Sequence, residues 1–508
     1  MSEAQDLSTK VLATTGLMLA VMLVAIDSTI ANVALPHMQG ALSASQDQIV
    51  WVLTSYILAG AVMMPFTGWI AQKVGRKKVY MVSIVAFVSA SVLCGLSETL
   101  PEIVFFRILQ GLAGAGMMPL SQAALLDIWS VRRMATMMAI WSATAMVGPI
   151  VGPALGGFLT EHFSWRWVFF INVPVGVTAF FLITTAMAPD RGGRERPFDA
   201  LGFAALVVFS ASFQLMADRG PTMDWFHSPE IWTEALLGVS GLYVFVVHML
   251  TAKNPFFHRD VLSNPNLLSS VVLSFSLAMI LYSTNAMMPS FMQSLMGYSA
   301  QQSGLVTMSR GVGALLGFLI VPWLARRFRP RPTILVGLAI SFFGLWRMAH
   351  FDLSMTASTI RFAIFFQGIG MALMSNPAAV LGYSTLDPRH RTEAAVFSNV
   401  FRTLGGSLGI ASMQGMFVVA SATAHEQLAA AIAPSDPVVR WSLPSILSGG
   451  GPLEAVNLEV TRQAAMIGYD SIFARLALAS LCLAPLLLVL RPARPTPPHT
   501  VRPAPEVE

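Results

Sequence analysis

Apolar residues run along this chain in long blocks with short polar stretches between them, and that pattern predicts its elements. A helix needs about 20 mostly apolar residues to cross the hydrocarbon core of a bilayer. Fourteen blocks qualify, at 11–36, 50–72, 79–97, 102–126, 134–159, 167–189, 199–217, 231–252, 267–289, 303–324, 332–350, 358–383, 392–421 and 466–490. Barrel strands are short and alternate in polarity, whereas these runs are long and continuous, so the spans are helices. The predicted fold class is an all-α polytopic membrane protein.

Composition removes the alternatives. Of 508 residues, 55% are hydrophobic and 11% charged, against roughly 25% charged in soluble domains. A soluble fold could not cover its surface, and the chain is too apolar for intrinsic disorder. Two cysteines, Cys94 and Cys482, exclude a disulfide-stapled scaffold. Thirty-one Lys and Arg against 26 Asp and Glu give a charge of +5, but the cations sit in short clusters between spans, which argues against nucleic acid as a partner. Alternate loops carry Lys73, Arg76, Lys77 and Lys78, then Arg326, Arg327, Arg329 and Arg331, while the opposite side holds only Arg166, Arg219, Arg440 and Arg462. The positive-inside rule then makes both termini cytoplasmic. Residues 1–10 lack the basic start and cleavage site of a signal peptide and form a cytoplasmic N-terminus. The polar, Pro- and Gly-rich stretch 422–465 is expected as a partly ordered external loop, and the Pro-rich tail 491–508 as disordered.

A weak internal repeat divides the chain. GWIAQKVGRKK after span 2 has a degenerate counterpart, PWLARRFRPRP, after span 10. Arg107, Gln110, Gly111 and Gly114 share one helix face, and Arg402, Gly405, Gly406 and Gly409 repeat that spacing. Two six-helix bundles, 11–189 and 267–490, are therefore expected, joined by residues 190–266 with two linker helices. Such duplication suits a carrier whose halves rock around a site near the midplane.

Within the spans a few residues carry chemistry. Asp27 lies inside span 1, where a carboxylate costs at least about 2.5 kcal/mol, so it must face a cavity, pair, take up a proton, or be satisfied as a packing residue by its neighbours. Ser28 and Asn32 lie on an adjoining face and could bond a substrate or a neighbouring helix. Arg107 in span 4 is always ionised and needs an acceptor. Arg310, Arg347, Arg361, Arg402, Asp470 and Arg475 are the candidates of the second half. Glycines recur every four residues in span 5, at Gly148, Gly152 and Gly156, beside Pro149, Pro153 and Gly157. Small residues at that spacing let helix backbones approach closely, and each proline removes an amide donor. After span 2, Gly68 would permit a tight helix crossing and Gly75 a sharp turn, while Lys73, Arg76 and Lys77 could cap neighbouring helix C-termini. The His and Cys residues show no metal-ligand spacing, and there is no phosphate-binding loop of the G-x-x-x-x-G-K-[ST] type. Neither an enzyme nor an ATP-driven pump is indicated. Energy must come from an ion gradient or from the solute's own gradient.

GPIVGPALGG in span 5 resembles the antiporter signature of the major facilitator superfamily. GWIAQKVGRKK resembles that superfamily's other hallmark, G-x-x-x-D-R-x-G-R-R/K, with Gln72 at the acidic position, where it cannot form the family's salt-bridge latch. Arg107, Gln110 and Gly111 resemble its R-x-x-Q-G motif. LVAIDSTIANVALP, WVLTSYILAGAVMMPFTGWIA, SWRWVFFINVPVG, DRGPTMDWF and SNVFRTLGGSLG are similar to the EmrB/QacA drug-resistance group, fourteen-span drug:proton antiporters. The resemblance implies a major facilitator fold that exports amphipathic toxic compounds, cationic or neutral, in exchange for protons as the coupling ion and with no cofactor. It implies proton coupling at Asp27, Arg107 and Asp470, with Arg107 as the partner of Asp27. A substrate cavity is expected at Ser28, Asn32, Gln110 and Arg402, and conformational gating at Gly68, Gln72, Lys73, Gly75, Arg76, Lys77, Gly148, Gly152, Pro153, Gly156 and Gly157. Trp165 and Trp167 are placed at the outer membrane interface. A bacterial inner membrane is the implied location, with a periplasmic adaptor and an outer-membrane channel as candidate partners that would meet loop 218–230 or segment 422–465. A proton-coupled carrier of one natural metabolite, and a membrane sensor that transports nothing, are the competing readings.

Overall fold

The computed structural model describes residues 3–489 apart from 130, 189–196, 221–222, 254, 256, 258, 329, 387–390 and 432–452. The predicted tail 491–508 lies outside the described residues. The first bundle comprises α1 (Glu3–Ala41), α2 (Trp51–Val74), α3 (Arg76–Leu96), α4 (Leu100–Gly114) with α5 (Met117–Ile128), α6 (Val131–His162), and α7 (Trp167–Phe170) with α8 (Asn172–Ala186). Next come α9 (Ala200–Arg219), α10 (Pro229–Thr251) and the short α11 (Arg259–Ser263). The second bundle comprises α12 (Pro265–Ser294), α13 (Ala300–Arg327), α14 (Pro330–Met348), α15 (Ala357–Ser384), α16 (Arg391–Ala431), and α17 (Leu453–Leu481) with α18 (Leu486–Val489). Helical segments thus occupy all fourteen predicted places. Among the described residues twelve are long and apolar enough to cross a membrane, α6 and α14 being the two long helices outside that set.

Local chemistry explains where the helices start and break. Thr99 and Glu102 form a reciprocal capping box at the start of α4, and Ser299 with Gln302 does the same for α13. Asn264 caps α12 by accepting from two backbone amides, with Pro265 at the first helical position. Span 4, expected as one helix, is broken at Ala115–Gly116. Pro119 is the cause, because its ring clashes with the carbonyl of residue i−4, which is Ala115. Pro485 acts in the same way on Leu481, where α17 ends.

One expectation is corrected here. The external loop begins later and ends earlier than 422–465 suggests, since α16 runs to Ala431 and α17 starts at Leu453. His425 Nε2 and Asn457 Oδ1, 3.2 Å apart, join the two extensions. Polar residues continue these helices beyond the apolar block because they pair with each other there. Trp165 is buried beneath the Arg166 guanidinium, 4.4 Å from its ring centroid, while Trp167 is exposed.

Each bundle has its own core. Leu17, Ile30, Tyr80, Phe87 and Phe169 anchor the first, and Leu273, Met288, Phe291, Tyr469 and Phe473 the second. A third cluster joins Ala61 of α2, Phe209 of α9, Phe245 and Met249 of α10, and Phe397 and Leu404 of α16. The linker helices therefore cover the seam where α2 of one bundle meets α16 of the other. Phe105, Phe181, Leu236, Tyr243, Leu319, Trp323 and Leu478 point outward and are exposed, an arrangement that water penalises and lipid accepts.

The repeat is present in a register different from the one expected. Arg402 lies on α16, the fifth helix of its bundle, and Gly405 and Gly409 pack against Phe275 and Met279 of α12, as the glycines of α6 pack on α1. The counterpart of Gln110-Gly111 is instead Gln367-Gly368 on α15. A Cβ on Gly111 would strike the Tyr56 carbonyl of α2, and one on Gly368 would strike the Arg310 carbonyl of α13. Gln367 Nε2 donates to Thr284 Oγ1 of α12 at 3.1 Å, while Gln110 Nε2 donates to Asp27 Oδ1 of α1 at 2.8 Å.

Gly75 joins α2 to α3 with φ 100°, a region that side chains avoid. A methyl group at Gly68 would meet nothing within 4 Å, so the tight crossing expected there is absent in this conformation. Gly75→Ala should therefore cost about 1–3 kcal/mol, and Gly68→Ala within about 0.5 kcal/mol of zero. Thermal unfolding in detergent micelles checks both, and equal losses would contradict the geometry.

Candidate functional site

A carboxylate can be kept in the interior of a bundle only if the fold brings it donors. Asp27 has no exposed surface. Its Oδ2 accepts from Arg107 Nη1 at 2.8 Å, and its Oδ1 accepts from Gln110 Nε2 at 2.8 Å and Asn172 Nδ2 at 2.7 Å. The spacing of Arg107 and Gln110, three residues apart on α4, puts both on one face, and Asn172 enters from the first residue of α8. Arg107 is equally enclosed. Its Nε donates to the Val52 carbonyl of α2 at 2.9 Å, its Nη1 also reaches Gln110 Oε1 at 2.8 Å, and its guanidinium lies 4.0 Å from the Tyr56 ring centroid. Asn172 is held in turn by Ser91 Oγ at 2.9 Å. One ion pair thus fastens α1, α2, α4 and α8 together. Sequence reasoning found Asp27, Arg107 and Gln110 but missed Asn172, whose signal was a polar residue in the apolar run VFFINVPVG.

The neighbouring face of α1 meets the glycine series. A Cβ on Gly148 would collide with the Ala25 carbonyl, and one on Gly152 with Thr29 Oγ1. At Gly156 a Cβ would lie 2.6 Å from the Ile30 carbonyl. Thr29 Oγ1 donates to the Gly148 carbonyl at 2.9 Å. Residues 25 and 29 flank Asp27 by two positions each, so the ion pair and the glycine contacts occupy opposite sides of one helix turn. The other side of α6 touches the second bundle. A Cβ on Gly157 would strike the Ala300 carbonyl of α13, while Gly304 and Gly311 of α13 lie on the Pro153 and Pro149 carbonyls.

Between the bundles lies a cavity of ≈ 240 Å³. Its wall is largely apolar and includes Val33, Leu277, Leu281, Phe318 and Met371, with Thr29, Asn32, Asn285, Arg310 and Arg402 as polar points. Of the residues expected to line a substrate cavity, Asn32 and Arg402 do so. Ser28 does not border it, its hydroxyl donating to the Ala25 carbonyl at 2.8 Å, and Gln110 is committed to the ion pair. Asp27 and Arg107 do not border it either, because they point into the first bundle. Asp470 is separate from both, on α17, with His350, Phe351 and Asp352 as its neighbours at the end opposite the basic loops. That position sets Asp470 apart from the Asp27–Arg107 pair, and among the described residues its Oδ1 has no hydrogen-bond partner. Arg310, which sequence reasoning left as one candidate among six, lines the cavity.

Among the described residues the two ends show different hydrogen bonds. Opposite the basic loops, Gln46 Nε2 donates to Tyr469 OH at 3.3 Å, Gln293 Nε2 to the Val33 carbonyl at 2.9 Å, and the Gln301 amide to Glu161 Oε2 at 2.9 Å. Each of these bonds joins one bundle to the other. At the basic end, Lys77 Nζ donates to the Thr184 carbonyl at 2.8 Å at the C-terminus of α8, Trp129 Nε1 to Thr14 Oγ1 at 2.8 Å, and Asn264 Nδ2 to the Thr385 carbonyl at 3.3 Å. Those bonds stay within one bundle. Lys73 Nζ lies over the Trp69 ring at 5.2 Å, and Gln72 sits in the last turns of α2 with its side chain outside the described residues. Arg76 opens α3 beside Gly75.

Comparison with known proteins agrees with this geometry. The family model described as Major Facilitator Superfamily matches residues 17–410. The chain is 33% identical over 473 residues to the multidrug export protein EmrB of Escherichia coli (strain K12), covering 91% of this chain and 92% of that protein. It is 32% identical over 492 residues to the probable multidrug resistance protein EmrY of the same strain, covering 94% and 95%. Among solved structures, a bacterial homolog of the human lysosomal transporter Spinster, inward-facing and unoccupied, superposes with a TM-score of 0.65 at 16% identity, covering 96% of this chain and 98% of that one. That last likeness concerns the fold alone.

Two outcomes follow from the geometry. Arg107→Ala leaves the Asp27 carboxylate buried with no cation, and should cost about 3–5 kcal/mol. The double change Asp27→Asn, Arg107→Gln should restore part of that stability, and thermal unfolding of the single and double variants checks the coupling. Gly157→Ala overpacks the α6–α13 contact by about 1–3 kcal/mol and should shift the balance toward opening at the latched end by roughly tenfold, at about 1.4 kcal/mol per decade. Labelling of Gln46→Cys by an impermeant maleimide, in a Cys482→Ser background, should rise accordingly.

Proposed function

Because the chain belongs to the major facilitator superfamily and, within it, to the EmrB-like multidrug proteins, we propose that it is a proton-driven efflux antiporter working by alternating access. It is a multi-pass membrane transporter and not an enzyme, and its cargo under this reading is amphipathic toxic compounds. The observation that carries the reading is the Asp27–Arg107 pair, buried on the helix whose other side meets the signature glycines and borders the cavity.

Three donors converge on the two oxygens of Asp27, an arrangement suited to a carboxylate that has released its proton. Protonation would cancel the charge facing Arg107. The guanidinium would keep the Val52 carbonyl, Gln110 Oε1 and the Tyr56 ring, so α4 would hold its cation while α1 lost its strongest tie to α4. Freed in this way, α1 can shift against α6, and the shift is felt at Thr29, on the cavity wall, and through α6 at the Gly157–Ala300 contact with the second bundle. The latch is fastened here at the end opposite the basic loops. If those loops face the cytoplasm, as their charge suggests, the state is inward-facing, deprotonated and ready to load. The outward-facing state would then release cargo and protonate Asp27. One proton crossing 100 mV supplies about 2.3 kcal/mol, which supports a cargo gradient on the order of 50-fold at about 1.4 kcal/mol per decade.

Under this reading the protein lies in a bacterial inner membrane with both termini in the cytoplasm, has fourteen spans and needs only the proton as coupling ion. An adaptor and channel, where present, would meet the latched end near loop 218–230; residues 432–452 lie outside the described residues. Reconstituted vesicles test the proposal. Asp27→Asn should abolish drug efflux driven by a pH gradient while drug-for-drug exchange persists. Undiminished proton-driven efflux would remove Asp27 from the mechanism, co-movement of proton and cargo in one direction would make the protein a symporter, and no movement of either would make it a sensor.

A further inference from the structure

The two buried arginines among the described residues are treated in opposite ways. Arg107 has a carboxylate, a carbonyl, an amide oxygen and an aromatic face. Arg310, 4% exposed on α13, has one partner, Asn285 Oδ1 of α12, which accepts from Nη1. Its Nε and Nη2 are buried with no partner. Those two nitrogens form one edge of the guanidinium, and their N–H bonds run parallel at the spacing of two carboxylate oxygens. The Gly368 contact on the Arg310 carbonyl fixes the helix that presents this edge. Arg402 of α16 borders the same cavity, steadied by Asn399 Oδ1 at 3.3 and 3.2 Å from Nε and Nη2. Among the described residues lining the cavity there is no Asp or Glu.

We propose that Arg310 is the anion-binding residue of the central cavity and that, with Arg402, it selects amphipathic acids over amphipathic cations. The proposal rests on the reading of this cavity as the cargo site. A buried donor left unpaired is costly, so a ligand that pairs it gains what an apolar or amide-headed ligand cannot. A cationic head would meet two like charges with no counter-ion in the wall, which is discrimination by repulsion. Val33, Leu277, Leu281 and Phe318 supply the apolar surface for the ligand's tail. Family resemblance implied cationic or neutral cargo, and this proposal puts acids in their place.

Three probes with the same eight-carbon tail separate the cases: octanoate, octanamide and octyltrimethylammonium. Each is titrated calorimetrically at about pH 7, where the carboxyl is ionised, into the purified full-length protein in nanodiscs, with empty nanodiscs subtracted. Octanoate should bind at least about tenfold more tightly than octanamide, equivalent to about 1.4 kcal/mol, and the ammonium more weakly still. Arg310→Gln should bring octanoate close to octanamide, Arg402→Gln should do so in part, and Arg310→Lys should keep some of the preference. Equal binding of the three probes to the unaltered protein overturns the proposal without relying on any variant, as does a preference that survives Arg310→Gln. Acetate binding as tightly as octanoate would reduce the site to a bare anion hole and overturn the amphiphile assignment. Binding is read without a pH gradient, so the two readings fail separately. Loss of head-group preference with proton-driven efflux intact removes only the anion site. Preference retained by a protein that moves no cargo removes only the export function.

Discussion

A charge cannot be left alone in a low-dielectric interior, and this constraint organises the first bundle. The desolvation of Asp27 and Arg107 is offset only because α2, α4 and α8 bring a carbonyl, two amides and an aromatic ring to the same point. Those helices are positioned by close contacts that demand small residues, such as Gly111 on the Tyr56 carbonyl. Packing and polar satisfaction are therefore one problem here. Shifting α1 by a fraction of a turn would break the bonds of the carboxylate and the glycine contacts together.

The same helix turn has two sides with different tasks. One side holds the ion pair, which is sealed from the cavity. The other meets Gly148, Gly152 and Gly156 and, at Thr29 and Asn32, reaches the cavity wall. Coupling between a proton site and a cargo site does not need the two ligands to share a chamber. It needs one rigid element that both press upon, with two arrangements available to it. In α1 that element is about a single turn thick.

Much of this was legible in the chain. The long apolar blocks give the helices, and an acid and a guanidinium inside apolar runs point to each other because neither is tolerable alone. What stayed hidden was relational. Asn172 is an ordinary polar residue until α8 is placed against α3 and α1. The spacing shared by Arg107–Gly114 and Arg402–Gly409 is a consequence of helix periodicity at small residues and carries no equivalence, whereas the true counterpart, Gln367-Gly368, is recognised only from what its glycine touches. Arg310 could not be ranked above its five fellow candidates because the sequence does not show which nitrogens lack partners. The end of α16 was set too early and the start of α17 too late, because polar residues that satisfy one another extend a helix as well as apolar residues do.

The linker helices give the molecule a lopsided outline within the membrane plane. By packing across α2 and α16, α9, backed by α10, walls off one flank of the junction between the bundles, while among the described residues no linker helix covers the junction of α6 with α13. Surrounding lipid presses directly on the halves along one flank and through an intervening pair of rods along the other. Stretching or thickening the bilayer would then act on the junction as a torque rather than as a uniform squeeze.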